Sequence, residues 1–88
     1  MASPASFTNS PDYVQSLARG LQVLRAFDRD RPRSTLSEIA AQIGLSRAVA
    51  RRSLLTLQHL GYVAVQGRQF FPTPRVLELS YSYTLRWT

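Results

Sequence analysis

Three arginines lie close together in the stretch LSRAVARR, residues 45–52: Arg47, Arg51 and Arg52. A guanidinium group is a planar cation whose N–H donors bind phosphate, or the edge of guanine, through paired hydrogen bonds. A leucine-rich run at residues 54–57 follows directly, so the same segment also has a core-forming pattern. The chemistry that this stretch offers is anion binding, and the alternative is a solvated helix face that serves solubility.

The composition favours an anionic partner. All 11 basic residues are arginine and 5 residues are acidic, so the net charge is +6 and the pI about 11.1. This excess points to nucleic acid or to an anionic membrane surface, although a GC-rich genome would also replace lysine by arginine. An apolar fraction of 44% over 88 residues is typical of one small globular domain.

Few residues could build a catalytic or metal site. His59 is the single histidine, and it has no carboxylate or second histidine at ligand spacing. The lack of cysteine excludes thiolate catalysis, disulfides and cysteine-based zinc sites. The close acidic pair, Asp28 and Asp30, lies in an arginine-rich loop where charge balance explains it. We therefore expect neither an enzyme nor a cofactor or metal site.

Membrane and secretion signals are also missing from the sequence. No apolar run approaches the roughly 18 residues that span a bilayer. The N-terminus has neither the basic nor the apolar segment of a signal peptide. We therefore expect a cytoplasmic, nucleoid-associated protein with no membrane partner.

Two helices must position the arginines. In TLSEIAAQIGLS, Thr35 and Glu38 have the spacing of a capping box and predict a helix start. Gly44 predicts a left-handed stop, and Ser46 caps the next helix only two residues later. Helices joined by so short a glycine-containing turn cross steeply, which predicts a helix-turn-helix.

The second helix is predicted from Arg47 to about Leu60, with Gly61 ending it. At about 100° per residue its residues separate into two faces. The predicted core face comprises Ala50, Leu54, Leu57 and Leu60. The opposite face carries Ala48, Arg51, Arg52, Leu55 and His59, with Arg47 at the boundary. A recognition helix presents its groove contacts from this position.

A wing is predicted after this helix. YVAVQGRQFF reads as a strand over 62–65, a two-residue turn at Gly67-Arg68 and a return strand over 69–71. Glycine at the first central position suits a type II′ turn. Arg68 then stands at the tip of the wing, where it could contact phosphate or the minor groove.

The N-terminal part is predicted as a disordered arm over residues 1–12 and a helix over 13–28, broken before Pro32. Ser16 is the expected N-cap. The expected apolar stripe comprises Leu17, Leu21, Leu24 and Phe27, and is widened by Val14, Val23 and Ala26. A stripe this wide suggests that a second copy of the chain covers part of it.

The C-terminal part alternates apolar and polar residues, as a strand does, but Thr73-Pro74 is a strong helix start. We predict a helix from Pro74. The uncovered apolar residues Tyr81, Leu85 and Trp87 indicate a partner or neighbouring domain. The predicted fold is mainly α with a small β-hairpin: a winged helix-turn-helix over 13–73, followed by the start of a linker helix over 74–88.

Three segments together resemble a known family. SLARGLQVLRAF, LSEIAAQIGLSRAVARRSLLTLQHLGYV and PTPRVLELSYSY are similar to the N-terminal DNA-binding domain of IclR-type transcription factors, in the branch that controls catabolism of aromatic acids. The resemblance covers about residues 13–85. It implies a dimer or tetramer on inverted-repeat operators, acting as repressor or activator. It also implies a small-molecule effector, bound by a larger C-terminal domain that is absent from this chain.

The resemblance also implies site residues. It places the start of the recognition helix, opened by Ser46, in the major groove, with contacts from Arg47, Ala48, Val49, Arg51 and Arg52. It places Ser34 and Thr35 where backbone phosphates pass, and Arg19 near them. Val49 stands where the family often has threonine, and valine suits a thymine methyl group. Ser53 stands where leucine is usual.

The alternative function from another class is a winged-helix module that binds protein or RNA. Such modules usually lack a basic recognition helix. Salt-sensitive binding to duplex DNA distinguishes the two hypotheses.

Overall fold

The structure is a computed structural model, and it describes residues 4–80. Five helices and three strands follow one another along this part of the chain. They are α1 (Pro4–Thr8), α2 (Gln15–Arg25), β1 (Ser34–Thr35), α3 (Leu36–Ile43), α4 (Arg47–His59), β2 (Val63–Gln66) and β3 (Gln69–Pro72), then α5 over residues 75–80. The predicted fold class is confirmed: helices dominate, and a small sheet follows the helix-turn-helix.

The helix-turn-helix has the local chemistry that its residues predicted. The Thr35 N–H donates to Glu38 Oε1 at 2.8 Å and the Glu38 N–H donates to Thr35 Oγ1 at 3.2 Å, so the capping box is complete. Gly44 ends α3 in the left-handed region, at φ +70°. Ser46 Oγ accepts the Val49 N–H at 3.2 Å and starts α4. These caps fix where α4 begins and therefore where its first arginine stands.

The core lies where the three longer helices meet the sheet. It is built from Val23, Ala26, Ile39, Leu54, Leu57 and Val63. Leucines that were expected on the core faces of α2 and α4 lie outside it: Leu17 is 63% exposed, Leu21 54% and Leu60 51%. The prediction for these three residues is wrong. The Val23 and Ala26 side of α2 enters the core, which leaves Leu17 and Leu21 outside, and Leu60 is the C-cap residue of α4, past its last helical residue.

The sheet has three strands in the order β1-β3-β2, not the predicted two. β1 pairs antiparallel with β3 and places Ser34 opposite Phe70 and Thr35 opposite Gln69. A strand of two residues has no alternation to read, so its sequence did not reveal it. The wing turn is confirmed: Gly67 has φ +63° and Arg68 does not have a positive φ, as a type II′ turn requires.

The N-terminal prediction is wrong for the described residues of the arm. Residues 4–8 form the short helix α1, and the Phe7 ring packs edge-on against Tyr13 with 5.8 Å between centroids. This aromatic contact and the turn hydrogen bond from the Ser10 N–H to the Phe7 carbonyl at 2.9 Å provide order that a composition argument ignores. Ser16 is also not the N-cap, because α2 begins at Gln15 with no side-chain cap.

The predicted helix after the wing is confirmed as far as it is described. The Arg75 N–H donates to Thr73 Oγ1 at 3.3 Å, so Thr73 caps α5. The predictions on Tyr81, Tyr83, Leu85 and Trp87 lie outside the described residues.

Candidate nucleic-acid interface

The outer face of α4 presents the arginine cluster to solvent. Arg47, Arg51 and Arg52 are exposed, as is Ala48 between them. The opposite face is anchored in the core by Ala50 and Leu54, both 0% exposed, and by Leu57. The guanidinium groups therefore project from a helix that the core holds in place.

The charge on this face is not neutralised within the described part of the chain. No acidic residue occurs between Glu38 and Glu78 in the sequence, a span that includes all of α4 and the wing. Within residues 4–80, no hydrogen bond or ion pair holds the guanidinium groups of Arg47, Arg51 or Arg52. The positive end of the α4 dipole adds to the same potential. The face is therefore arranged to bind an anion.

The predicted site residues on α4 do not all face the same way. Val49 is half-buried, and it lines a cleft of about 520 Å³ between α2 and α4 together with Arg52. Arg19 of α2 lines the same cleft, so the structure brings Arg19 and Arg52 into one neighbourhood. Arg47 and Arg51 are not among the residues that line this cleft.

The wing is brought beside the start of α3. Arg68 is exposed at the turn, and the adjacent Gln69 pairs with Thr35 of β1. Thr35 therefore lies near the wing, although its hydroxyl oxygen already accepts the Glu38 N–H. Ser34 is 2% exposed. A buried hydroxyl cannot meet a phosphate, so we exclude Ser34 from the candidate interface.

Arg33 supports the wing, a role that the sequence analysis did not predict. Its guanidinium carbon lies 4.2 Å from the centroid of the Phe71 ring, and its Nη1 donates to Gln66 Oε1 at 3.1 Å. These contacts connect the start of β1 to both strands of the wing and brace the hairpin that carries Arg68. This brace depends on the pairing of β1 with β3, which no pattern in the sequence indicates.

The helix start beside the wing includes a stabilised carboxylate. The pKa of Glu38 is lowered, first by the hydrogen bond from the Thr35 backbone N–H, then by the Thr35 hydroxyl, and weakly by the positive charge of Arg31. The charged form of Glu38 therefore supports the capping box at neutral pH.

The described residues contain neither a metal-binding cluster nor a membrane-spanning helix. Between residues 4 and 80, no group of three or more His, Asp or Glu side chains is placed to hold a metal ion. No helix in this same stretch has the length and apolar character needed to cross a membrane.

A winged helix-turn-helix with an exposed basic second helix defines a class of DNA-binding domains. The model of the IclR helix-turn-helix domain matches residues 16–67, more than half of the chain. The chain is 41% identical over 87 residues to the Pca regulon regulatory protein of Pseudomonas putida, covering 94% of this chain and 30% of that protein.

Solved structures agree with this match. The chain is 63% identical to a transcriptional regulator from Rhodococcus sp. RHA1, with a TM-score of 0.77, over 81% of this chain and 28% of that one. It is 29% identical to an IclR family transcriptional regulator from Brucella abortus, with a TM-score of 0.81, over 91% of this chain and 32% of that one.

The chain belongs to the IclR family, and the expected resemblance to its aromatic-catabolism branch, that of the Pca regulators, is confirmed. It is a winged helix-turn-helix DNA-binding domain of a bacterial transcriptional regulator. It spans 28–32% of the length of these three relatives.

Proposed function

We propose that α4 enters the major groove of duplex DNA and that Arg47, Arg51 and Arg52 make its main contacts. The observation that carries this proposal is the exposure of these arginines, free of intramolecular partners among the described residues, on a helix anchored by Leu54. Guanine O6 and N7 accept a bidentate pair from arginine, and each such pair discriminates by about 1–3 kcal/mol.

The remaining contacts are assigned by position around α4. Ser46 and Ala48 lie at its exposed N-terminal turn, and Val49 is half-buried beside them. Arg68 contacts phosphate or the minor groove from the wing tip. Thr35 and Arg19 contact backbone phosphates on either side. Ser34 takes no part.

A homodimer on an inverted repeat is the assembly that best explains the exposed leucines of α2. Leu17 and Leu21 lie next to one another on that helix and present apolar surface to solvent. A second copy would cover them, and its recognition helix would enter the major groove about 34 Å away. The same surface would serve in a tetramer. Weak self-association of this chain in sedimentation at high concentration is the expected result, and a strictly monomeric profile contradicts it.

The division of the chain follows from the same proposal. Residues 13–73 bind DNA, and residues 74–88 begin a linker helix. A small-molecule effector would act only through a further C-terminal domain, as in the resemblance that the segments showed. The protein is a regulator and not an enzyme, requires no cofactor, and works in the cytoplasm on the nucleoid.

Selection of bound duplexes from a random pool tests the proposal. We expect enrichment of a guanine-containing half-site, repeated in inverted orientation one helical turn apart, and affinity that falls steeply with salt. Matched RNA duplexes of the recovered sequence provide the control. Equal or stronger binding to the RNA, or no enrichment of any DNA sequence, overturns the proposal.

A further inference from the structure

The end of α4 and the start of α5 are joined through one residue, Thr73. The Thr73 hydroxyl donates to the Gly61 carbonyl, and the Thr73 N–H donates to the Tyr62 carbonyl at 2.9 Å. The same hydroxyl oxygen accepts the Arg75 N–H at 3.3 Å. Thr73 therefore bonds simultaneously to the residues that end the recognition helix and to the first turn of the next helix.

The carbonyls that Thr73 bonds belong to a rigid helix end. The Gly61 N–H donates to the Gln58 carbonyl at 3.0 Å and the Tyr62 N–H donates to the Leu57 carbonyl at 2.9 Å. This pair of bonds, with Gly61 at φ +89°, is a Schellman motif. Leu57 is in the core, so any movement of Thr73 relative to Gly61 strains a helix end that the core holds.

Arg75 adds a steric contact to the hydrogen bonds. A Cβ atom at position 61 would lie 3.1 Å from Arg75 Nε and 3.3 Å from Arg75 Cδ. The Arg75 side chain therefore lies against the backbone of Gly61, and a Cβ atom there would displace it by a few tenths of an ångström. We call the residues Gly61, Tyr62, Thr73 and Arg75 the junction.

We propose that Thr73 is a positioning residue, which fixes the direction of α5 relative to the recognition helix and thereby sets the half-site spacing that a dimer accepts. This inference rests on the proposed function for its second part, because half-site spacing matters only for a dimer on an inverted repeat. The geometric part stands on the junction alone. Thr73 touches no DNA in this scheme and acts through α4.

The direction of α5 matters because α5 leads away from the DNA-binding fold. In the proposed dimer, α5, whose Leu77 and Leu79 are exposed, would contact the second copy beside the leucines of α2. A change of one base pair in spacing requires a shift of about 3.4 Å along the DNA axis. A loose junction lets α4 make that shift at little cost, whereas a fixed junction does not. Fixing the junction therefore converts a preference for a half-site into a preference for two half-sites at one spacing.

The geometric part is tested without DNA. The protein has no cysteine, so Gln58→Cys on α4 and Ser80→Cys on α5 accept a pair of spin labels at exposed positions. We expect a narrow distribution of label distances in the parent and in Thr73→Ser, and a broad one in Thr73→Val, which keeps the shape and loses the hydroxyl. Thr56→Val is the matched control, because the Thr56 hydroxyl bonds the Arg52 carbonyl within α4 and not the junction. A distribution in Thr73→Val as narrow as in the parent overturns the proposal.

A second variant covers the case in which Thr73→Val fails to fold. Thr73→Ala removes the same hydroxyl but places no second methyl group against the Gly61 carbonyl. We expect a broadened distribution for it as well, whereas Thr73→Ser stays narrow. A distribution in Thr73→Ala as narrow as in the parent, with Thr73→Val unfolded, overturns the proposal.

The functional part is tested on duplexes with one half-site and with two half-sites at centre spacings around 10 base pairs. We expect Thr73→Val to bind one half-site as the parent does, to lose about tenfold in affinity for two half-sites at the best spacing, and to discriminate less between spacings. Thr73→Ser restores the parent's preference. Parent-like spacing preference in Thr73→Val overturns this part. Failure of the parent chain to bind any duplex overturns the proposed function instead, while the label distances still decide the geometry.

Discussion

Two groups of arginines on this molecule differ in what surrounds them. In the loop between α2 and β1, Arg31 Nη1 donates to Gln42 Oε1 at 3.2 Å, and Arg33 bonds Gln66 and lies over Phe71. On α4, the guanidinium groups of Arg47, Arg51 and Arg52 have no such partner among the described residues. Arg31 and Arg33 connect elements of the fold, whereas the arginines on α4 are left for a partner outside it.

The acidic residues sharpen the contrast between these regions. Asp28 and Asp30 lie in the loop, and Asp28 Oδ1 accepts the backbone N–H of Asp30 at 2.9 Å and of Arg31 at 2.8 Å. The segment from α4 through the wing has no carboxylate to balance its arginines. Arginine content alone therefore does not locate an interface. The nearby acceptors and carboxylates decide which cations are available.

The largest expected effect follows from removing the α4 guanidinium groups. Arg51→Ala and Arg52→Ala should each weaken binding to a selected duplex by about 1–3 kcal/mol, roughly five- to 150-fold, because each loses paired hydrogen bonds to a base edge or a phosphate. Fluorescence anisotropy titration measures this. Arg29→Ala, an exposed loop arginine, is the control and should change little. Comparable losses in all three variants would erase the distinction between the two regions.

Arg68→Ala should have a smaller effect, expressed in the salt dependence. A single phosphate contact at the wing tip contributes about 0.9 to the slope of log affinity against log salt. We expect the slope to fall by about that amount with the folded stability unchanged. A slope equal to that of the parent would show that the wing tip does not meet phosphate.

Arg33→Ala should act on the wing and not on the salt slope. The stacking of Arg33 on Phe71 contributes about 0.5–1 kcal/mol at an exposed site, so thermal unfolding should occur at a slightly lower temperature. Phe71→Leu should lower it similarly, and the double variant should lose less than the sum of the two. A fall in the salt slope with Arg33→Ala would place this residue with the α4 group instead.

Glu38→Gln should have the smallest effect, and one that depends on pH. The lowered pKa of Glu38 means that its charge stabilises the fold above the unfolded value of about 4.3, and that this contribution is lost as the pH falls through the lower folded value. The parent should unfold at a slightly higher temperature than the variant at pH 7, and the difference should shrink below about pH 4.3. If the difference in unfolding temperature between parent and variant is the same at both pH values, the charge of Glu38 does not stabilise the start of α3.

Local side-chain chemistry explains which parts of this fold could be predicted from the sequence. The Thr35–Glu38 box, Gly44, Ser46 and the Gly67 turn each require particular residues at fixed offsets, so the sequence alone located the helix-turn-helix and the wing. The exposure of Arg47, Arg51 and Arg52 followed from helical period and was confirmed, although Arg52 lies at the cleft between α2 and α4.

Features that depend on contacts between residues distant in sequence could not be predicted from the sequence. Strand β1 exists because β3 passes beside it, and its pairing buries Ser34 and places Arg33 over Phe71. The side of α2 that enters the core was decided by α4, so Val23 is buried and Leu21 is exposed. Both features result from tertiary packing, which the spacing of apolar residues within one helix does not determine.

Methylation interference at guanine N7 tests most directly whether arginines of α4 read base edges in the major groove, because N7 lies in that groove and accepts one of the two hydrogen bonds from arginine. We expect N7-methylation within each half-site to block binding, and Arg51→Ala or Arg52→Ala to remove that interference at one guanine. Binding that tolerates N7-methylation at every guanine of the site would contradict the account.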